Sequence, residues 1–230
     1  MLETGSSITL PLAVKIPAPQ NHNRGITLLE ALVVLFVIAI LAVMVMPANH
    51  MHTKATLVVC MSRLKETGYG LLMYAEDNHE TFPMQMPVSQ GGTMDFNYYG
   101  HTFPQFQKIQ KYLTNPGLLL CPVDKSRPAA TNYASLNDGN ISYFLNLNVS
   151  TNHPAQTILA GDRYLLANGE PVGPGLFIVI SNVGLSWSPQ YHHNKGLLAF
   201  PDGHVEISTS NNLHATIQKQ PQSTNHFSIP

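Results

Sequence analysis

At residues 24–30 the chain reads RGITLLE, and residues 31–46 after it carry no charge. Within 26–48 the single charged side chain is that of Glu30. A helix rises about 1.5 Å per residue, and roughly 20 apolar residues cross a hydrocarbon core of about 30 Å. The segment 26–48 is therefore predicted to form a transmembrane helix.

Gly25 lies before this apolar run. A secretory signal peptide has a shorter apolar region, and its small-residue cleavage site lies on the far side of that region. Cleavage at Gly25 would instead leave the span attached to the exported part. We therefore expect a retained membrane anchor.

Glu30 requires a partner, because an unpaired carboxylate within a span costs on the order of a few kcal/mol. The nearest candidate is the amine that cleavage after Gly25 would create on Ile26, since an α-amino group is largely cationic at neutral pH. Glu30 lies one helical turn from that amine. Pairing within the chain therefore competes with pairing to a neighbouring chain.

These residues resemble the processing site of the type IV prepilins and of the pseudopilins of type II secretion. Gly25, Ile26 and Glu30 match the residue before the cut and the first and fifth residues of the mature chain. Pro47 stands where many members of the family have a proline. The resemblance implies cleavage after Gly25, N-methylation of Ile26, and roles in assembly for Glu30 and Pro47. A plain signal anchor with an incidental Glu30 is the alternative.

The resemblance also divides the chain. It implies a leader peptide at 1–25, a transmembrane and assembly helix at 26–48, and an exported pilin-like domain at 49–208. The domain would include the outer half of one long helix that ends near residue 76. Residues 209–230 are polar and are expected to form a loose tail.

The outer half of this helix is predicted from an apolar stripe with alternating spacings of four and three. The stripe consists of Leu57, Met61, Leu64, Gly68, Leu71 and Ala75. Its natural role is to pack against the domain core. The expected fold class is thus α+β and pilin-like, with a long N-terminal helix packed against a small antiparallel sheet.

Beyond residue 83 the pattern predicts a short helix at 103–113 and strands at 141–145, 157–160 and 176–180. A hairpin is clearest at 196–200 and 204–208, because Pro201, Asp202 and Gly203 between them favour a tight turn.

This hairpin carries a second resemblance. His192, nine intervening residues and then Asp202-Gly203 match a C-terminal signature of prepilin-like proteins known mainly from planctomycetes and verrucomicrobia. That group commonly has glycine-rich residues after the histidine, whereas this chain has His193, Asn194 and Lys195. The resemblance does not supply a biochemical role for the signature.

Histidines and carboxylates near the hairpin suit zinc and other divalent ions. The candidates are His192, His193, Asp202, His204 and Glu206. The alternative, which we favour, is that these residues serve the turn, the exposed strand face and a loop. If an ion binds, the resemblance to major pseudopilins favours calcium, with Asp162 and Asp202 as oxygen ligands. No other cofactor is expected.

Cys60 and Cys121 would both reach an oxidising compartment after export, where a disulfide persists. Two buried free thiols are an equal alternative, because sequence does not reveal pairing geometry.

Composition argues for an exported body without enzymatic activity. Charged residues make up 11% of the chain, the net charge is −1, and common catalytic motifs are absent from the sequence. A nucleic-acid partner is not expected without a basic patch.

We therefore expect a structural subunit of a type IV pilus-like filament or of a type II secretion pseudopilus. Its partners would be prepilin peptidase, copies of itself and other pilin-like subunits, an inner-membrane assembly platform and the lipid bilayer. The chain would cross the bacterial inner membrane once, with a cytoplasmic N-terminus. The alternatives are an adhesive or DNA-capturing minor pilin and a tethered protein that does not polymerise.

Overall fold

The computed structural model describes residues 25–45, 48–180, 182–222 and 224–230, without side chains at 44–45 and 48–54. The chain divides into two compact units, Met1–Ala48 and Asn49–Pro230.

The first unit contains helix α1, Leu28–Val45. Its first turn is closed by Thr27, whose carbonyl accepts from the Ala31 N–H at 3.1 Å. The apolar side chains of 26–43 are exposed. In the part of the chain that the structure describes, no helix combines the length and apolar character needed to cross a membrane. The predicted span at 26–48 also includes Met46 and Pro47, which lie outside the described residues.

Helix α2, Ala48–Asp77, lies in the second unit except for its first residue. The predicted apolar stripe is confirmed, because Leu64, Gly68, Leu71 and Ala75 are buried. The helix ends at Asp77, one residue beyond the predicted end. Whether α1 and α2 form one helix depends on residues outside the described part.

Between α2 and the first strand the chain forms short helical turns. Helix α3, Phe103–Lys108, confirms the predicted short helix but ends five residues earlier. Five 3-10 turns accompany it: Pro83–Gln85, Val88–Gln90, Met94–Tyr99, Pro116–Leu119 and Asp138–Asn140.

Nine described strands form two antiparallel sheets. The strands are β1 Tyr143–Asn146, β2 Ala160–Asp162, β3 Leu165–Ala167, β4 Glu170–Pro171, β5 Gly175–Ile180, β6 Leu185–Trp187, β7 Lys195–Ala199, β8 Val205–Thr209 and β9 Thr224–Ile229. The six-stranded sheet has the order β5-β9-β1-β2-β7-β8, and the three-stranded sheet has the order β4-β3-β6.

The fold is thus α+β with N-terminal helices and antiparallel sheets, as predicted. The predicted hairpin corresponds to β7 and β8, with Ala199 opposite Val205. The strand expected at 157–160 instead begins at Ala160.

The central strands of the large sheet are buried on both faces. On β1, Tyr143 and Leu145 join a core that also contains Leu64 and Leu71 of α2. Phe144, between them, points into a second core. Because side chains alternate along a strand, an unbroken apolar run is what a sheet covered on both faces requires.

The loose tail expected at 209–230 is not what the structure shows. Helix α4 occupies Ser210–Gln218, and β9 lies between β5 and β1 inside the large sheet. Leu213, Ile217 and Phe227 are buried in the second core. Phe227 stacks on Phe144 with ring centroids 4.5 Å apart. The polar composition of this segment hid four buried apolar side chains, those of Leu213, Ile217, Phe227 and Ile229.

Replacing Phe227 by Ala should therefore destabilise the protein by about 3 to 5 kcal/mol, since it removes a fully buried aromatic ring. Denaturant unfolding of the detergent-solubilised chain measures the change. Lys219→Ala, at an exposed position next to α4, is the control and should have almost no effect. Equal stability of the two variants would restore the view that the segment is a tail.

Candidate functional site

The N-terminal site is built on the first turn of α1. Thr27 caps the helix, and its Oγ1 accepts a hydrogen bond from the Glu30 N–H at 3.2 Å. Glu30 is the acidic residue of that turn. A carboxylate in the first turn interacts favourably with the positive end of the helix dipole.

The role of Thr27 was missed in the sequence analysis, although its signal was present. A threonine followed three residues later by glutamate is the sequence pattern of a capping box. The structure shows one half of the capping box, in which the hydroxyl of Thr27 accepts a hydrogen bond from the backbone N–H of Glu30. Glu30 is exposed and remains available to a partner outside the chain. Pro47 lies outside the described residues.

The C-terminal signature ends in the tight turn that joins β7 to β8. The Gly203 N–H donates to the Phe200 carbonyl at 3.0 Å, and the Phe200 N–H donates to the His204 carbonyl at 3.1 Å. Asp202 Oδ1 accepts from the His204 N–H at 3.0 Å and lies 2.5 Å from His204 Nδ1. Slight burial opposes ionisation, but these hydrogen bonds hold the pKa of Asp202 below its usual range.

Gly203 has two separate reasons to be glycine. Its φ is +86°, in the left-handed region that side chains disfavour. A Cβ there would also lie 2.7 Å from Cε1 of Tyr69 on α2. The turn therefore packs closely on the helix, and Asp202-Gly203 has a structural explanation.

His192 lies in a different environment from Asp202. Its Nε2 is 3.5 Å from Cys121 Sγ and 3.7 Å from Asp162 Oδ2. Burial lowers the pKa of His192, and the neighbouring His193 adds to this effect. The described contacts therefore assign the two ends of the signature to separate places.

Asp162 is buried in β2. Its Oδ2 accepts a hydrogen bond from the Leu197 N–H at 2.9 Å. Burial raises the pKa of Asp162 to about 7, although the Leu197 N–H opposes the shift. The signature histidine thus faces a carboxyl group whose pKa burial raises to about 7.

The sulfur atoms of Cys60 and Cys121 form a disulfide, with the Cα atoms 5.1 Å apart. The bond connects α2 to the loop after the turn Pro116–Leu119. Of the two alternatives from the sequence, the structure shows the bonded one. A cross-link between the two cysteines lowers the entropy of the unfolded chain. On the loop-entropy model this stabilises the folded protein by about a few kcal/mol.

The predicted metal residues do not come together. The one group of three or more potential ligands in the described residues is Cys60, Cys121 and His192. It does not contain Asp162 or Asp202. Calcium takes six to eight oxygen ligands, whereas this group offers two sulfur atoms and a ring nitrogen.

Asp124 forms a buried ionic network that the sequence analysis missed. Its carboxylate accepts from Arg163 Nε at 3.0 Å, Ser142 Oγ at 2.9 Å and Ser126 Oγ at 2.6 Å. Burial would raise the pKa of Asp124, but hydrogen bonds from Arg163, Ser126 and Tyr164 lower it to about 2. The network holds the loop after Cys121 against β1 and the end of β2.

The loop before β7 contains an unusual backbone conformation. His192, His193 and Asn194 have φ values of 47°, 54° and 62°. Three successive residues other than glycine in the left-handed region are uncommon and cost on the order of 1 kcal/mol each.

Comparison with known proteins identifies the N-terminal segment. Residues 20–46 match the family model of the prokaryotic N-terminal methylation motif. No curated protein and no solved structure matches the chain.

The motif supports a type IV prepilin-like or pseudopilin-like protein that is a substrate of prepilin peptidase. It also implies assembly with pilin-like subunits in general. The match covers Gly25, Ile26 and Glu30 and does not reach the signature at 192–203.

We expect His193→Gly to stabilise the protein by about 1 kcal/mol or less, because glycine adopts a positive φ without strain. The denaturant midpoint of the solubilised chain measures this. Lys195→Gly is the matched control, since Lys195 is an exposed residue of β7, where glycine should destabilise by roughly 0.5 to 1 kcal/mol. The strain argument fails if the two substitutions act in the same direction.

Proposed function

We propose that this chain is a structural subunit of a type IV pilus-like filament or of a type II secretion pseudopilus. Prepilin peptidase cuts it after Gly25, and Ile26 is N-methylated. The methylation motif at 20–46 supports the processing. The surface of α1 supports the assembly.

The observation that carries the proposal is that α1 is apolar on every side. Between residues 28 and 43 its large apolar side chains are 46% to 83% exposed. Seven successive residues, 32–38, are all apolar and all exposed. Since successive residues of a helix point about 100° apart, this run leaves no polar face. Such a helix belongs in lipid or among other apolar helices.

Both environments occur in a filament subunit. In the membrane the segment 26–48 would form a single-pass anchor, with the N-terminus cytoplasmic and the second unit exported. On assembly, α1 would move from lipid into a bundle of identical helices and would keep its apolar surroundings. The disulfide between Cys60 and Cys121 supports an oxidising location for the second unit.

Glu30 is the one charge on this helix and gives the assembly its register. In the membrane it is one turn from the amine of a mature Ile26. In the filament its carboxylate would pair with the amine of a neighbouring subunit, so that both charges are neutralised. A single polar pair in an apolar interface fixes alignment, because other registers leave a charge unpaired.

The processing step predicts a mature chain that begins at N-methylated Ile26. Intact mass and N-terminal analysis of the membrane-extracted protein provide the measurement. In the Gly25→Ala variant most molecules should keep the leader, because the residue before the cut is altered. A wild-type chain that keeps Met1, or one cut beyond residue 48, would contradict the proposal.

The assembly step predicts that Glu30→Ala is cleaved normally but is absent from sheared filaments. Glu76→Ala, which removes an exposed acid at the end of α2, is the control and should assemble like the wild type. Immunoblots of sheared and membrane fractions measure both steps. Normal filaments from Glu30→Ala would refute the pairing, and a wild-type chain that stays monomeric in the membrane would favour a tethered protein.

A further inference from the structure

Three side chains from distant parts of the chain come together, and one of them is the signature histidine. Cys60 lies on α2, Cys121 on the loop that follows the turn Pro116–Leu119, and His192 on the loop before β7. Their sulfur and ring nitrogen atoms all lie within 4.8 Å of one another. Both cysteines are buried, and the side chain of His192 is 5% exposed.

A fourth donor is adjacent. Asp162 Oδ2 lies 3.7 Å from His192 Nε2. Its other oxygen, Oδ1, is buried and has no hydrogen-bond partner in the structure's described part. Buried carboxylate oxygens are normally satisfied, so an unpartnered one points to a missing ligand.

A small ion has a route to this cluster. His192 and His193 line an open cleft of about 490 Å³, together with Pro122, Lys125 and Gln190. The cleft reaches the histidine from outside the core, whereas the two cysteines lie behind it.

We propose that the reduced chain binds one zinc ion through Cys60 Sγ, Cys121 Sγ, His192 Nε2 and the Asp162 carboxylate. Four donors of these types suit a closed tetrahedral zinc site, with sulfur at about 2.3 Å and nitrogen at about 2.0 to 2.1 Å from the metal. Soft thiolate and imidazole ligands favour zinc over calcium or magnesium.

The site is linked to the redox state of the two cysteines. The disulfide observed here has to accept two electrons and two protons, which a dithiol supplies as it is itself oxidised to a disulfide. Zinc then displaces the two thiol protons as it binds the thiolates. Oxidation reverses the exchange and releases the ion. Metal and disulfide are therefore alternative links between α2 and the loop that carries Cys121.

Cobalt provides the probe, because thiolate-bound Co²⁺ absorbs in the near ultraviolet and tetrahedral Co²⁺ in the visible. The full chain in detergent is reduced with a phosphine, freed of reductant without oxygen, and titrated with Co²⁺. We expect one equivalent to bind with both signatures and to be displaced by Zn²⁺. The oxidised chain should show neither signature.

Variants assign the donors. Mutating a residue that only hydrogen-bonds to a metal ligand lowers the affinity for the metal by about 10- to 100-fold. Removing a ligand itself, as in His192→Ala, should therefore weaken cobalt binding at least tenfold. Asp162→Ala should shift the visible bands, and Cys121→Ser should reduce the charge-transfer band. His193→Ala is the matched control, because His193 lines the same cleft but is not one of the four donors.

The proposal is overturned if the reduced wild type lacks the charge-transfer band, or if His192→Ala and His193→Ala bind cobalt equally. Near-ultraviolet circular dichroism follows the fold of each sample. A reduced chain that loses its tertiary signal and regains it on addition of Zn²⁺ alone supports the site. The outcome is independent of filament formation, so it does not depend on the proposed assembly function.

Discussion

Strand β9 is the constraint on which the large sheet depends. It pairs with β5 along six residues and with β1 on its other side. Strand β5 has no other partner among the described strands. Without β9 the sheet would be reduced to β1, β2, β7 and β8, and the second core would lose Phe227 and Ile229. A pairing between residues near 176 and residues near 228 closes a long loop, and the entropy cost of that closure opposes folding.

The sequence could predict the elements whose signals are local. The stripe of α2 and the Pro201-Asp202-Gly203 turn each depend on residues within a few positions, and both are confirmed. Strand β9 has no such signal, because polar residues occupy inward positions. Asn225 and Ser228 are buried, and their polar groups are satisfied by Asn146 and by the Gly100 carbonyl, far away in the sequence. Polarity therefore indicated a tail where long-range hydrogen bonds make a strand.

The same distinction holds for the candidate sites. Thr27 and Glu30 are three residues apart, and their capping relation could have been recognised from the pattern alone. The cluster around His192 joins α2, two loops and the end of β2, so no spacing in the sequence predicts it. The resemblance to major pseudopilins grouped Asp162 and Asp202 as oxygen ligands of one ion. The structure separates them, because Asp162 is buried in β2 and Asp202 belongs to an exposed turn.

The signature at 192–203 contacts α2 at two points. His192 lies beside the bond from Cys60 to Cys121, and Gly203 packs on Tyr69. Cys60 and Tyr69 are nine residues apart, which is about 14 Å along a helix. Two contacts at this separation add to the core packing of Leu64 and Leu71 in setting the direction of α2 against β7 and β8. The signature therefore has a structural reason that requires no catalysis: it holds the helix that follows the apolar segment in one orientation on its sheet.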